Sequence, residues 1–240
     1  MLRRLALLLV TFGMLAAGPA APVVQRHLSD FDDVMAGAAT TAAGAGYTFT
    51  AVSQGRPVRW DPCTPIHWKY RTSGQVAGGF TPVVRAIARI ARATGTTWVY
   101  DGAVTTAPTS AWLPKTTSSQ PPVLIGWTTA AHSDLLRGRS PSVLGVTRTS
   151  WFSVTRGTTT TTAIRGAVVA LNQSKHLPLT GPTSWYTVAL HELSHAMGLG
   201  HATSSKELMY PLLQPSLRDL QAGDLVGLAR VGRSQGCIHL

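Results

Sequence analysis

Residues 191–201 read His191-Glu192-Leu193-Ser194-His195-Ala196-Met197-Gly198-Leu199-Gly200-His201, and the spacing is that of a set of metal ligands. Residues four apart on an α-helix lie one turn apart on the same face, so His191 and His195 can aim their imidazoles at one point. Gly198 stands where that helix is expected to stop, because glycine takes the left-handed conformation that turns the chain back. His201 then comes round as a third nitrogen ligand. Three protein ligands leave the fourth position of a tetrahedral zinc ion open for water, which is the catalytic arrangement. Glu192, beside the first ligand, is placed to act as general base on that water. A lone helical histidine is ordinarily a core or surface residue, and His-Glu-x-x-His recurs by chance. The longer string, with its glycine and third histidine, is far more specific.

Outward from this string the chain reads as alternating strands and helices. Pro182 to Ser184 are expected to cap a helix carrying Trp185, Val188, Ala189 and the first two histidines. Downstream, Leu217, Leu220, Leu225, Leu228 and Val231 suggest a C-terminal helix. Upstream, Ile66, Trp68 and Tyr70 alternate with His67, Lys69 and Arg71, the period-2 pattern of a half-buried strand. Pro82 opens an expected helix to about Thr94, with Val83, Ile87, Ile90 and Thr94 inward. Its Arg85, Arg89 and Arg92 form an outer basic stripe, read as a solvated face. Thr97 to Tyr100, Val123 to Thr128, Val143 to Thr147 and Ala163 to Leu171 are further strand candidates. The threonine run Thr158 to Thr162 reads as a loop or a strand extension. The order predicts an α+β domain with one sheet.

At 240 residues, 44% hydrophobic and 13% charged, the chain suits one well-buried domain with extra segments at its ends. The net charge of +11 suits contact with an anionic cell surface. No basic run interleaved with aromatics occurs, so no nucleic-acid partner is expected. Arg3 and Arg4 followed by the apolar run Leu5 to Ala17 read as a signal peptide over 1–21, the run being short for a membrane span. A retained N-terminal anchor is the alternative reading; no stable membrane anchor is expected. Residues 22–57, with an Ala/Thr/Gly-rich stretch from Ala36 to Gly46, read as a linker or short pro-segment, and 58–240 as the folded domain. Two cysteines, Cys63 and Cys237, most simply pair in an oxidising compartment; free thiols or zinc ligands are the rival readings.

The string His191 to His201, followed by Leu208-Met209-Tyr210-Pro211, resembles the zinc site and Met-turn of the metzincin metallopeptidases. The wording is closest to the matrixins, and Trp60-Asp61-Pro62-Cys63 with a distal cysteine is similar to small secreted bacterial relatives of that group. The resemblance implies a metzincin-like catalytic domain: a mixed twisted sheet, an N-terminal helix, an active-site helix, a Met-turn and a C-terminal helix. It implies His191, His195 and His201 as ligands of one catalytic zinc ion and Glu192 as the base. Gly198 would be the hinge, Met209 the hydrophobic floor, and Tyr210 and Pro211 the rest of the turn, Tyr210 packing or lining the substrate pocket. Asp224 matches the second of two adjacent acids in the matrixin C-terminal helix; Gly223 replaces the first, so an ion pair through it is not expected.

Other departures concern latency and further metals. Residues 22–57 hold no cysteine, so a thiol that blocks the zinc is excluded; Asp30, Asp32 or Asp33 is the substitute considered. His132-Ser133-Asp134 resembles half of a structural zinc site, but the next histidine is His176, so a second zinc is not expected. Calcium is not readable. The expected activity is that of a secreted, monomeric zinc endopeptidase acting on protein or peptide substrates. An extended substrate would add along a sheet edge at Val143 to Thr147, with Leu212 to Leu217 as the specificity loop. The competing readings are a secreted zinc-binding surface protein without turnover and a cell-wall peptide amidase.

Overall fold

The computed structural model describes residues 21–30, 46–238 and 240. Most of the expected signal peptide, together with Asp32 and Asp33, lies outside the described residues, as does the side chain of Asp30. The strands in chain order are β1 (Val23–Asp30), β2 (Thr48–Phe49), β3 (Val52–Ser53), β4 (Arg56–Pro57), β5 (Ile66–Arg71), β6 (Trp98–Val104), β7 (Val123–Thr128), β8 (Gly145–Arg156), β9 (Thr159–Asn172) and β10 (Leu199–Gly200). Among the described residues three α-helices accompany them: α1 (Phe80–Thr94), α2 (Trp185–Met197) and α3 (Ala222–Val231).

Six strands form the main sheet in the order β1-β8-β9-β7-β5-β6. β6, β5, β7 and β9 run parallel, while β8 is antiparallel to β9 and β1 antiparallel to β8. The parallel neighbours β5 and β6 need a crossover, and α1 supplies it. β7 is buried along its whole length, as befits a central strand covered on both faces. β8 and β9 form a long hairpin; Thr158 lies in its turn and Thr159 to Thr162 extend β9. The threonine run is therefore mostly strand.

The main core lies between the sheet and α1 and α2. Ile66, Trp68 and Tyr70 of β5 point into it with Val83, Ala86, Ile87 and Ile90 of α1 and Trp185, Val188 and Leu193 of α2. Trp127 and Trp185 meet edge to face with centroids 4.4 Å apart, a geometry that adds to their area burial. The truncation of one such fully buried aromatic would cost about 3–5 kcal/mol.

Three local expectations are corrected. The basic stripe of α1 is not simply solvated. Arg89 donates from Nε to both carboxylate oxygens of Asp219, at 2.9 and 3.0 Å, and the Arg85 guanidinium lies 4.9 Å over the Tyr186 ring. Pro82 does not open α1, which starts at Phe80; Pro82 sits inside the first turn, where the helix needs no N–H from it. Leu217 and Leu220 precede α3, because Gln221, in extended backbone, caps that helix and ends the run before it.

Cys63 and Cys237 form a disulfide with Cα atoms 5.4 Å apart, which decides among the three readings of these cysteines. It ties the chain just before β5 to the segment after α3, 174 residues away. Asp61 reinforces the junction by accepting hydrogen bonds from the main-chain N–H groups of Cys63 and Ile238.

Candidate metal centre

α2 begins at Ser184, whose side chain accepts from the Thr187 N–H while Thr187 Oγ1 accepts from the Ser184 N–H. This reciprocal cap satisfies two donors at the helix start, and the Trp185 and Tyr186 N–H groups donate to the Pro178 and Leu179 carbonyls. Every residue of α2 but Tyr186 is buried, so the histidines reach the site from an immobile support. The helix ends at Gly198, with φ at +111°. A Cβ there would also meet the Val58 carbonyl oxygen at 2.6 Å. Both the backbone conformation and the close approach demand glycine.

Beyond the turn, β10 pairs with β2. Thr50 donates from N and Oγ1 to the Gly198 carbonyl, and Thr48 Oγ1 donates to the His201 carbonyl at 2.8 Å. Residues 47–50, read within a linker or pro-segment, thus clamp the loop that delivers the third histidine. A Cβ on Gly200 would stand 2.4 Å from Thr48 Oγ1.

The three imidazoles converge. The Nε2–Nε2 distances are 3.1 Å for His191–His195, 3.2 Å for His195–His201 and 3.2 Å for His191–His201. The edges of a tetrahedron with metal–nitrogen bonds of about 2.0–2.1 Å are about 3.3 Å long, so the triangle has the size of a zinc ligand face. His191 Nδ1 donates to the Leu208 carbonyl at 2.9 Å and His195 Nδ1 to the Leu199 carbonyl at 2.7 Å. A carbonyl can only accept, so each proton sits on Nδ1 and each Nε2 presents a lone pair. Lone pairs facing one another at this distance repel, and a cation among them removes the repulsion.

Burial, the largest cause, pushes the His191 imidazole down to about 4. Burial and then the neighbouring His191 push His201 down to about 3, and His195 is held well below its ordinary value by burial and both neighbours. The centre is therefore built from neutral donors, the form that binds metal.

Leu208 and Met209 close the far side. Asp224, buried, accepts from the main-chain N–H groups of Leu208, Met209 and Gln221 at 2.8, 3.1 and 2.8 Å. Its carboxyl is nevertheless pushed up to about 6, burial outweighing these three donors. Met209 is fully buried in the main core, and its carbonyl accepts from the Ala202 N–H. Tyr210 is half-buried and Pro211 exposed. Gly223 leaves room for Glu207, whose carboxylate accepts from the Asp224 N–H at 3.1 Å; a Cβ on Gly223 would meet that carboxylate at 2.8 Å.

The Glu192 carboxylate faces β8. Thr147 Oγ1 lies 2.7 Å from Glu192 Oε2 and 2.9 Å from the Glu192 carbonyl oxygen. A Cβ on Gly145 would stand 2.8–2.9 Å from the Glu192 side chain. Sequence reasoning missed Thr48, Thr50 and Glu207 as parts of this centre and placed Gly145 and Thr147 on a docking strand without their contact to Glu192, since each contact is tertiary.

The family model for matrixins matches residues 93–231. The chain belongs to the matrixin family. No curated protein matches it. Membership makes this matrixin a zinc metallopeptidase in general terms and a hydrolase of peptide substrates, and the His191–His195–His201 triad could hold the metal. Among the described residues no helix is long and apolar enough to cross a membrane. The other group of potential ligands, Asp61, Cys63 and Cys237, has both sulfurs committed to the disulfide. At His132-Ser133-Asp134, which resembles half of a structural zinc site but is not expected to hold a second zinc, the Asp134 carboxylate accepts from the Ser110 main-chain N–H at 3.0 Å and from its hydroxyl, and lies 3.5 Å from Arg148. His132 Nδ1 lies 3.1 Å from Thr129 Oγ1.

Proposed function

We propose that this matrixin is a secreted zinc endopeptidase in which His191, His195 and His201 hold one catalytic ion and Glu192 is the general base. The observation that carries the reading is the triangle of three neutral Nε2 donors one residue from a buried carboxylate. Zinc bound there supplies a Lewis acid that polarises the scissile carbonyl and makes water a competent nucleophile near neutral pH.

The chain's own residues do the rest. Glu192 takes the proton from the attacking water and passes it to the leaving amine. Thr147 holds the carboxylate of Glu192 in a fixed orientation from the neighbouring strand. The Leu208 and Leu199 carbonyls fix the tautomers and ring planes of His191 and His195. Met209 packs as an apolar floor that does not compete for the metal. Gly198 is the hinge that brings His201 round. Secretion is supported by the N-terminal leader pattern and by the disulfide, which persists in oxidising compartments. A Glu192→Ala variant should retain zinc and lose casein or gelatin cleavage by about 10²–10⁴-fold. Undiminished cleavage by that variant would refute the mechanism.

A further inference from the structure

β8 is the strand against which Glu192 rests, so its outer edge is the edge nearest the reacting centre. That edge is covered from Arg148 to Thr155, while Val143 to Thr147, the stretch expected to receive a peptide, have no partner in β1. β1 pairs with the covered length residue by residue, from Val23 opposite Thr155 to Asp30 opposite Arg148. The last pair lies one step from Thr147, which holds the Glu192 carboxylate. Because β1 is antiparallel to β8, it runs towards the centre, in the direction taken by any peptide that adds antiparallel to the same edge.

β1 is held weakly. Its described side chains are exposed except for half-buried His27, and Val23, Val24 and Leu28 remain 58%, 47% and 48% exposed. The side-chain contact that singles out one residue is His27, stacked on Trp151 at 5.7 Å with the rings 9° apart. A strand attached mainly by its backbone opens at little cost, whereas the rest of the sheet is fixed by its core. Covering an edge is a protective device, but a tightly built cover would bury apolar side chains, and β1 does not.

We propose that β1 is an intramolecular competitor for the docking edge of β8, so that an extended peptide reaches past Thr147 along this edge only by displacing Val23–Asp30. The proposal rests on the peptidase reading for its consequence in turnover, but the competition itself is a binding event and can be measured without turnover.

The test uses the full chain carrying His27→Pro with Leu28→Pro. Successive residues of a strand direct their N–H groups to opposite sides, so adjacent prolines remove a bond to β8 whichever residue makes it. A second variant, Gln25→Pro with Arg26→Pro, repeats the break elsewhere on the strand. The probe is a fluorescent peptide of the β1 sequence, Val-Val-Gln-Arg-His-Leu-Ser-Asp, followed by anisotropy, and the substrate is an unlabelled extended peptide. A tethered strand competes at an effective concentration of about the millimolar order, so the broken variants should bind the probe at least about tenfold more tightly than the unaltered chain. In a cleavage assay KM for the extended peptide should fall in parallel, with kcat unchanged. Equal probe binding by the variants and the unaltered chain would overturn the proposal, whatever the turnover. So would self-association of the variants without a gain in probe affinity, since β1 would then only shield an edge. Probe binding gained while neither protein cleaves any peptide would uphold the competition and refute the peptidase reading.

Discussion

The two flanks of the metal centre are held in opposite ways. On the ligand flank, α2, the Gly198 turn and the Leu208–Met209 segment are buried, and main-chain carbonyls or Asp224 tie each part to the next. On the edge flank, β8 presents Gly145 and Thr147 to Glu192, then continues outward beneath a strand whose side chains mostly face solvent. The contrast separates two tasks. Ligands need a fixed geometry, because a metal tolerates little misplacement; an edge that receives a peptide must be open or able to open.

The largest expected effect breaks the ligand flank outright. His195→Ala should lower zinc affinity by more than the about 10–100-fold typical of losing a hydrogen-bond partner of a ligand. Zinc content after dialysis against a competing chelator would show it, and activity should disappear with the metal.

Next comes the support beneath the ligands. Asp224→Ala would strand three main-chain N–H groups, each costing about 1–3 kcal/mol when buried without an acceptor. The denaturant midpoint should fall by an amount corresponding to at least about 3 kcal/mol. A midpoint close to that of the unaltered chain would mean that Leu208 and Met209 are held by something else.

A smaller effect comes from acid on the chelator-stripped protein. The folded imidazoles of His191 and His201 are held down to about 4 and about 3, below the ordinary 6.5. Below pH 6.5 the unfolded chain therefore binds protons that the folded chain refuses. Their contribution to stability is intact above that pH and is lost as pH falls towards 4. Asp224 acts in the opposite sense: with its carboxyl raised from 3.8 to about 6, the stability it lends in acid is lost as pH rises through that interval. Three histidines outweigh one carboxyl, so the melting temperature of the stripped protein should fall from pH 6.5 to pH 4. Added zinc should raise the melting temperature at pH 6.5, where the unfolded and folded imidazoles can both give up their protons, and raise it less at pH 4.

The smallest effect probes the edge flank. Thr147→Val keeps the shape but removes the hydroxyl that holds the Glu192 carboxylate. One hydrogen bond to a charged group is worth about 1.5–3 kcal/mol, so kcat should fall by about 10–100-fold with KM and zinc content unchanged. Thr147→Ser should recover most of the loss. A KM change instead would place Thr147 in peptide binding.

The legible and the hidden parts divide along the same line. Ser184, His191, His195, Gly198 and His201 lie within eighteen residues, and helix periodicity, a cap and a left-handed turn relate them without reference to anything distant. The alternation in Ile66 to Tyr70 and the apolar run of β7 were equally readable, since each states its own burial. The start of α1 and the extent of α3 were not, because caps decide helix ends and Gly79 and Gln221 are weak signals for them. The Ala/Thr/Gly-rich composition before Val58 hid Thr48 and Thr50, whose worth lies only in what they touch. The same holds for Arg85 and Arg89, whose partners Tyr186 and Asp219 are far along the chain.

The sequence by itself determined the donor set, the helix that spaces two of its members, the turn that returns the third, and the cysteine pair available for a bridge. All of these follow from contacts a few residues apart or from residue chemistry alone. Tertiary structure decided which carbonyls set the imidazole tautomers, which strand holds the base, and that Val23–Asp30 lies along the edge leading to it. Those facts depend on loop closure across tens to hundreds of residues, where local propensity carries no information and only the packed core and the strand register choose the partner.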